Sequence, residues 1–358
     1  SVVGGNNNQS TGVVSITGGS KNIASGVGSI ALGVNNKAKT TGSSAISGLN
    51  NAAGYRDDTG AIVFDSKGVE VGEYATIAGG KNNSANGTNS TISGGSGNTI
   101  APRVTDIDVN GVITYRQPSK NAVIAGGANN YIGSSLNDGA VISGGERNSA
   151  TGAYSTISGG KDNEAARESA VVAGGSSNIA SGTGSSIGGG INNKAYGEGS
   201  IIAGGKNNTA LKVEVVDGTA SSHSDYAVIS GGLDNTASAY AVVAGGATNQ
   251  ALGSSSAVGG GARNTTTARA SVIAGGHDNK TTGVYSVVSG GSRNTASGES
   301  STVGGGNTNI SKGATSTVGG GNSNHANGSL STIAGGNVNV ADGELSTISG
   351  GGANRATA

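Results

Sequence analysis

A repeat of 14 to 15 residues constrains this chain more than any other feature. With Ser200-Ile201-Ile202-Ala203-Gly204-Gly205-Lys206-Asn207-Asn208-Thr209-Ala210 as template and its first glycine as position zero, the 358 residues hold 21 copies. Position zero falls at 4, 18, 32, 47, 79, 94, 126, 144, 159, 174, 189, 204, 231, 245, 260, 275, 290, 305, 320, 335 and 350. Thirteen of the 20 steps are 15 residues, three are 14, and four carry insertions. Position +1 is Gly and position +4 is Asn in 21 of 21 copies; −2 is Val or Ile in 20, with Ala45 the exception, and +6 is Ala in 15. A disordered chain has no reason to keep such columns, although 70 glycines would otherwise suggest low complexity. Collagen is excluded by two prolines and the missing Gly-X-Y period.

Fifteen residues are too few for a helical pair, and the segments are rich in Val, Ile, Thr, Ser and Gly. The repeat therefore reads as one coil of an all-β parallel solenoid, or β-roll: strand, turn, strand, turn. Gly-Gly frees the backbone for the turn. Alternate residues of a strand share a face, so Val/Ile at −2 and Asn and Ala at +4 and +6 point inward. Stacked coils place like residues about 4.8 Å apart, giving a rod on the order of 100 Å long. An Asn in every coil predicts a structural amide ladder, each amide donating to one neighbour and accepting from the other, through Asn163, Asn178, Asn193, Asn208, Asn279 and Asn294. Coils this thin depend on their neighbours for stability.

Position −3 is Val, Ile or Thr in 15 of 21 copies, Val171, Ile201, Val228, Val242, Val272 and Val287 among them. It faces outward if −2 faces inward. A long exposed β-branched stripe points to burial against another chain; the plainer reading is that such residues form good strands. From Thr302 through Thr317, Thr332 and Thr347 the stripe turns polar.

Insertions at 54–74, 102–121 and 211–226 hold 10 of the 21 acidic residues and read as projecting hairpins or loops. Asn110-Gly111 between alternating apolar residues is a hairpin signal. Asp106-x-Asp108-x-Asn110-Gly111 resembles half a calcium loop, but Gln117 stands where a bidentate Glu is needed. Projections suit specific contact, so Tyr55, Arg56, Phe64, Tyr115, Arg116 and Lys212 are candidate ligand contacts; the insertions equally suit clamps between chains.

Other chemistry is missing from the pattern. Asp162, Asp234 and Asp278 at +3 read as turn residues. His223, His277 and His325 lack paired spacing, and without cysteine there is neither a disulfide nor a cysteine-ligated zinc. No face concentrates acid and base as polysaccharide-cleaving solenoids do. The expectation is a non-enzyme without metal or cofactor. Lys plus Arg equals Asp plus Glu at 21 each, which argues against nucleic acid as partner. No 18-residue apolar run exists, so this segment is not expected to insert into a membrane. The chain begins and ends within the repeat, without visible caps, and is expected to be a segment of a longer protein.

Gly28-Ser-Ile-Ala-Leu-Gly33-Val-Asn-Asn-Lys-Ala38 and Ser316-Thr-Val-Gly-Gly-Gly-Asn-Ser-Asn-His-Ala326 resemble the head repeats of trimeric autotransporter adhesins, the YadA-like heads. The resemblance covers nearly the whole chain except the insertions. It implies a left-handed parallel β-roll, a homotrimer, and display at the bacterial outer surface on a stalk and membrane anchor. It also implies attachment to extracellular matrix, host cells or other bacteria, with avidity from repeated weak contacts. In such heads matrix binding is tied to repeats of the Asn-Ser-Val-Ala-Ile-Gly type; Ser29-Ile-Ala-Leu-Gly33 approaches it, and most coils carry Gly-Gly instead. The alternatives are an architectural fibre without ligand, or a monomeric solenoid whose −3 face binds ice or a periodic glycan.

Overall fold

A computed structural model describes residues 1–54, 71–101, 106–107, 113–114, 119–133, 138–211 and 226–357. The described residues form an all-β parallel solenoid of about 20 turns without a helix. It divides into two units, Ser1–Gly184 and Ser185–Ala358.

In the first unit Thr156–Ile157 pairs with Val171–Val172 of the next coil, and Glu164–Ala165 with Ile179–Ala180. Lys161 and Ser176, both at +2, form a lone bridge between them. The second unit repeats the scheme. Ile201–Ile202 pairs with Val228–Ile229, Lys206 bridges Leu233, and Thr209–Ala210 pairs with Thr236–Ala237. From Ala45 on every column stacks on itself, so one coil is one sequence period; at the join with the 14-residue coils the columns of the first strand are offset by one, Ile30 on Ser44 and Ala31 on Ala45. Insertions do not break this register: Ser44 pairs with Thr76, Thr91 with Val123 and Ile201 with Val228 across them.

The core follows from alternation. Ile157, Val172, Ile202 and Ile229 at −2 are fully buried, as are Ala165, Ala180, Ala210 and Ala237 at +6. A fully buried Val or Ile contributes roughly 1.5–3 kcal/mol, too little for one coil to stand alone, so continuity matters. In the second unit one cluster runs from Ile273 through Val288, Val303, Val318 and Ile333 to Ile348. A fourth inward column was absent from the sequence reading. Position −4 has the same parity as −2 and is small in every coil from Ser43 on: Ser200, Ser286 and Ser316, or Ala170, Ala227 and Ala241, all fully buried. Some of its hydroxyls bond locally, Ser200 Oγ to Gly197 O at 2.8 Å and Ser286 Oγ to Gly283 O at 2.6 Å, while those of Ser155, Ser185, Ser301 and Ser331 are buried without a hydrogen-bond partner among the described residues. Where +6 is Thr rather than Ala, it reaches this column across the core, Thr266 Oγ1 to Ser256 Oγ at 2.8 Å and Thr281 Oγ1 to Ser271 Oγ at 3.0 Å.

Two early coils correct the assignment of −2. Thr17 and Ala31, one residue later, point inward, while Ile16 is 36% exposed and Ile30 only partly buried. These 14-residue coils lack the residue between the inward side chain and Gly +1. Their strands therefore run unbroken, as Ile16–Ser20 and Ile30–Val34. In 15-residue coils the extra residue breaks the strand into a two-residue pair and a separate bridge.

From Gly42 on each coil turns through left-handed backbone at two corners, +3 and −5; two earlier coils use Val14 and Gly28, at −4, for the second. At +3, Asp162, Asp234 and Asp278 have φ of 55–56° and act as turn residues. Side chains other than Gly are held there by hydrogen bonds to the preceding coil, as from Asp162 N to Glu146 O at 3.0 Å.

Candidate functional site

The six ladder asparagines Asn163, Asn178, Asn193, Asn208, Asn279 and Asn294 are all buried. Their bonding differs from a simple chain of amides. Asn279 Oδ1 accepts from the backbone N–H of Asn294 at 3.0 Å. Asn279 Nδ2 donates to Gly275 O in its own coil at 3.1 Å and to Gly291 O in the next at 2.9 Å. It also lies 3.1 Å from Asn264 Oδ1. The amide thus ties the Gly-Gly turn of two coils to the strand that follows. Asn163 and Asn208 do the same, each donating to two glycine carbonyls at 3.0 Å. Amide-to-amide bonds as expected from the sequence occur within the buried column too, Asn178 to Asn163 and Asn208 to Asn193 at 3.1 Å, and on exposed corners, Asn35 to Asn50 to Asn82 at 2.7 and 3.1 Å and Asn307 to Asn322 to Asn337 at 3.0 and 2.8 Å. The buried amides add backbone partners, sharing the +1 glycine carbonyl with a backbone N–H of the preceding coil, as Gly291 O accepts from both Asn279 Nδ2 and His277 N.

The outward stripe at −3 is a continuous ladder in the second unit. Ile201, Val228, Val242, Ala257, Val272 and Val287 pair in register and continue into Thr302. Ile201 is 45% and Val242 39% exposed, and Val228, Val272 and Val287 are half-buried. Val171 belongs to the first unit, where it pairs with Thr156.

Tyr55, Arg56, Phe64, Tyr115, Arg116 and Lys212 lie outside the described residues. Within 102–121, Asp106–Ile107 pairs antiparallel with Ile113–Thr114, the arrangement of a hairpin. All three insertions join the solenoid at one corner. They leave after Ala53, Ile100 and Ala210 at +6 and return at Ala75, Ala122 and Ala227 at −4. A shorter excursion between Ile132 and Ala140 uses the same turn.

That corner also carries the aromatic residues that the sequence reading passed over. Tyr74, Tyr154, Tyr226, Tyr240 and Tyr285 all stand at −5, each between 40% and 58% exposed. The signal was available, since five tyrosines share one column, but it hides among the Gly, Ser, Asn, Ala, Thr and Leu that fill −5 elsewhere from Gly42 on.

Charges are arranged along the +3 corner. Arg147 grips Asp162 of the next coil through Nε and Nη2 at 2.7 and 2.9 Å and also contacts Glu146. Arg263 grips Asp278 at 2.6 and 2.9 Å, and His277 Nδ1 lies 2.9 Å from the same carboxylate. The arginine hydrogen bonds hold both carboxyls below the usual range. A lowered folded-state pKa contributes stability above the ordinary carboxylate value of about 3.9 and loses it as pH falls through the lowered one. Asp278→Asn is therefore expected to flatten the acid limb of a melting-temperature profile without moving its neutral plateau far, because the pair is exposed. An unchanged acid limb would refute this.

Among the described residues no three His, Cys, Asp or Glu side chains are grouped to hold a metal ion, and no helix is long and apolar enough to cross a membrane. The sequence matches no protein-family model and no curated protein. The family resemblance accordingly rests on the motif residues themselves.

Proposed function

We propose that this chain is the head of a bacterial cell-surface adhesin, a non-enzymatic solenoid that works as a left-handed homotrimer. It attaches to host matrix, host cells or other bacteria by repeated contacts, displayed outside the outer membrane. The observation that carries the reading is the −3 ladder from Ile201 to Val287, a β-branched face left exposed on a single chain. An unbroken apolar stripe of this kind is an interaction surface in soluble proteins. Two neighbouring copies cover it without a pocket or a catalytic group.

Light scattering at several concentrations is expected to give about 100 kDa, three times the chain mass of 33.9 kDa. Val242→Lys with Val272→Lys should return the mass to that of one chain, because two unpaired charges would be buried in the contact. A wild-type mass of 33.9 kDa at every concentration would remove the interface.

Contact itself is assigned to the corner where the insertions project. Deleting 55–71, 102–118 and 212–223 together, which leaves a 15-residue coil at each join, is expected to abolish attachment of protein-coated beads to matrix-coated surfaces and cultured cells. The melting curve should survive, since the coils keep their register across each insertion. Undiminished attachment would move the contact to the repeat faces.

A further inference from the structure

We infer that the −5 corner of the second unit binds a neutral glycan, with Tyr226, Tyr240 and Tyr285 as stacking positions. The inference names a ligand class for the adhesive reading and rests on that reading only in treating this corner as a contact surface.

The first observation is conformational. Position −5 is left-handed in every coil from Gly42 on, and Gly42, Gly139, Gly184 and Gly199 fill it without strain. Tyr74, Tyr154, Tyr240 and Tyr285 adopt φ of 54–59° there. Asn, Ser, Ala, Thr and Leu adopt the same backbone at −5 in other coils, so neither core packing nor turn formation calls for an aromatic residue at so exposed a corner.

The second is the bedding of the rings. A Cβ on Gly199 would fall 2.3 Å from Tyr226 Cε1, one on Gly42 2.4 Å from Tyr74 Cδ1, and one on Gly139 3.0 Å from Tyr154 Cδ1. These three rings therefore lie against the glycine of the preceding coil, whereas Tyr240 follows Tyr226 and Tyr285 follows Ala270. Tyr226 and Tyr240 stand 5.9 Å apart, centroid to centroid. Arg269 fixes Tyr285, with its guanidinium 5.3 Å from the ring centroid and Nη2 donating to the phenol oxygen at 2.8 Å. The rings are ordered before any ligand arrives, which lowers the entropic cost of binding.

The third is what surrounds them. Backbone donors at two of the three positions are already spent between coils, Tyr226 N on Glu198 O at 2.9 Å and Tyr285 N on Arg269 O at 3.2 Å, which leaves no N–H there for a peptide strand. Glu198 immediately precedes the glycine beneath Tyr226, and Arg269 lies on Tyr285, so the corner carries both signs of charge. A pyranose offers a C–H face to an aromatic ring and a rim of hydroxyls that bond to either sign. The net charge of zero supplies no pull toward polyanions. The coil step of about 4.8 Å is close to the length of one sugar in an extended glycan. This surface is distinct from the −3 face.

The test is calorimetric titration of the full chain with cellohexaose, maltohexaose and chitohexaose, with a heparin hexasaccharide as the anionic comparison. At least one neutral probe is expected to bind. Tyr226→Ser, Tyr240→Ser and Tyr285→Ser together should weaken it about tenfold or more. Serine stands at the same position in Ser255 and Ser300, so the variant retains an accepted residue; Tyr240→Gly, which relieves the strain while removing one ring, is the second variant. Tyr131→Ser, at +5 in the first unit and away from the corner, should leave affinity unchanged. No binding of any neutral probe, equal binding by the triple variant, or tighter binding of heparin would each overturn the inference. Native mass is read on the same sample. A monomer that binds keeps the glycan surface and removes the trimer, and a trimer that does not bind does the reverse.

Discussion

Gly160→Ala is expected to destabilise the chain by on the order of 4 kcal/mol, while Gly159→Ala, one residue earlier, should stay within about 0.5 kcal/mol. Both are glycines of the same turn, and composition alone treats them as equal. Gly160 has φ of 86°, a conformation strained for any L side chain. A Cβ there would lie 2.2 Å from Gly175 O and 2.6 Å from Asn163 Nδ2. Neither neighbour can yield easily: Gly175 O belongs to the next coil's backbone, and the Asn163 amide is held by Gly159 O and Gly175 O. Admitting the methyl group means separating two coils and breaking the amide's bonds. A Cβ on Gly159 meets nothing within 4 Å. The chain itself uses this tolerance, with Leu32 and Ser47 at position zero, whereas +1 is always Gly. Denaturant unfolding followed by circular dichroism separates the two variants, and equal effects would refute the argument from close approach.

Asn279→Ala should cost about 2–4 kcal/mol, because it strands the buried N–H of Asn294 and the half-buried carbonyl of Gly275. Gly291 O loses one of two donors and keeps His277 N–H at 2.9 Å. The neighbouring +6 position supplies the contrast. Thr281→Ala puts there the residue that most coils already carry, and Ser271 Oγ, which loses the Thr281 hydroxyl, keeps its bond to Ala268 O at 2.8 Å. That change should cost no more than about 1 kcal/mol. Since each coil leans on its neighbours, Asn279→Ala should also divide the unfolding transition, with coils on either side melting apart. Asn279→Asp should be no better at neutral pH, since it keeps an acceptor but sets a buried negative charge against two carbonyl oxygens. A single transition with an unshifted midpoint would mean that the column is not what holds adjacent turns together.

These two positions show why so much of the fold was legible. In a parallel stack with unbroken register each residue's nearest neighbours are its own copies one period away. A requirement at one level is then repeated at every level, and appears in the sequence as a column. Gly +1, Asn +4, Val or Ile −2 and Ala +6 could be read as turn and core for that reason. The rule fails where the period changes. In the 14-residue coils around Thr17 and Ala31, losing one residue shifts which side chain faces inward, and Ile16 and Ile30 fit the column while standing outside it. Position −4 escaped for another reason: serine and alanine carry no hydrophobic signal, and only their complete burial reveals a wall of the core.

By itself the sequence determined the architecture: coil length, the inward set at −2, +4 and +6, the glycine turn, and the absence of a conventional enzyme pattern. Only the tertiary structure decided what each column does. Asn +4 proved to serve glycine carbonyls of two coils, because hydrogen-bond partners are chosen by position in space and the main chain carries no mark of them in the sequence. The tyrosines at −5 became a surface only once the turn set three of their rings against glycines a coil away. That separation is a full period along the chain, but in space it is a single strand spacing.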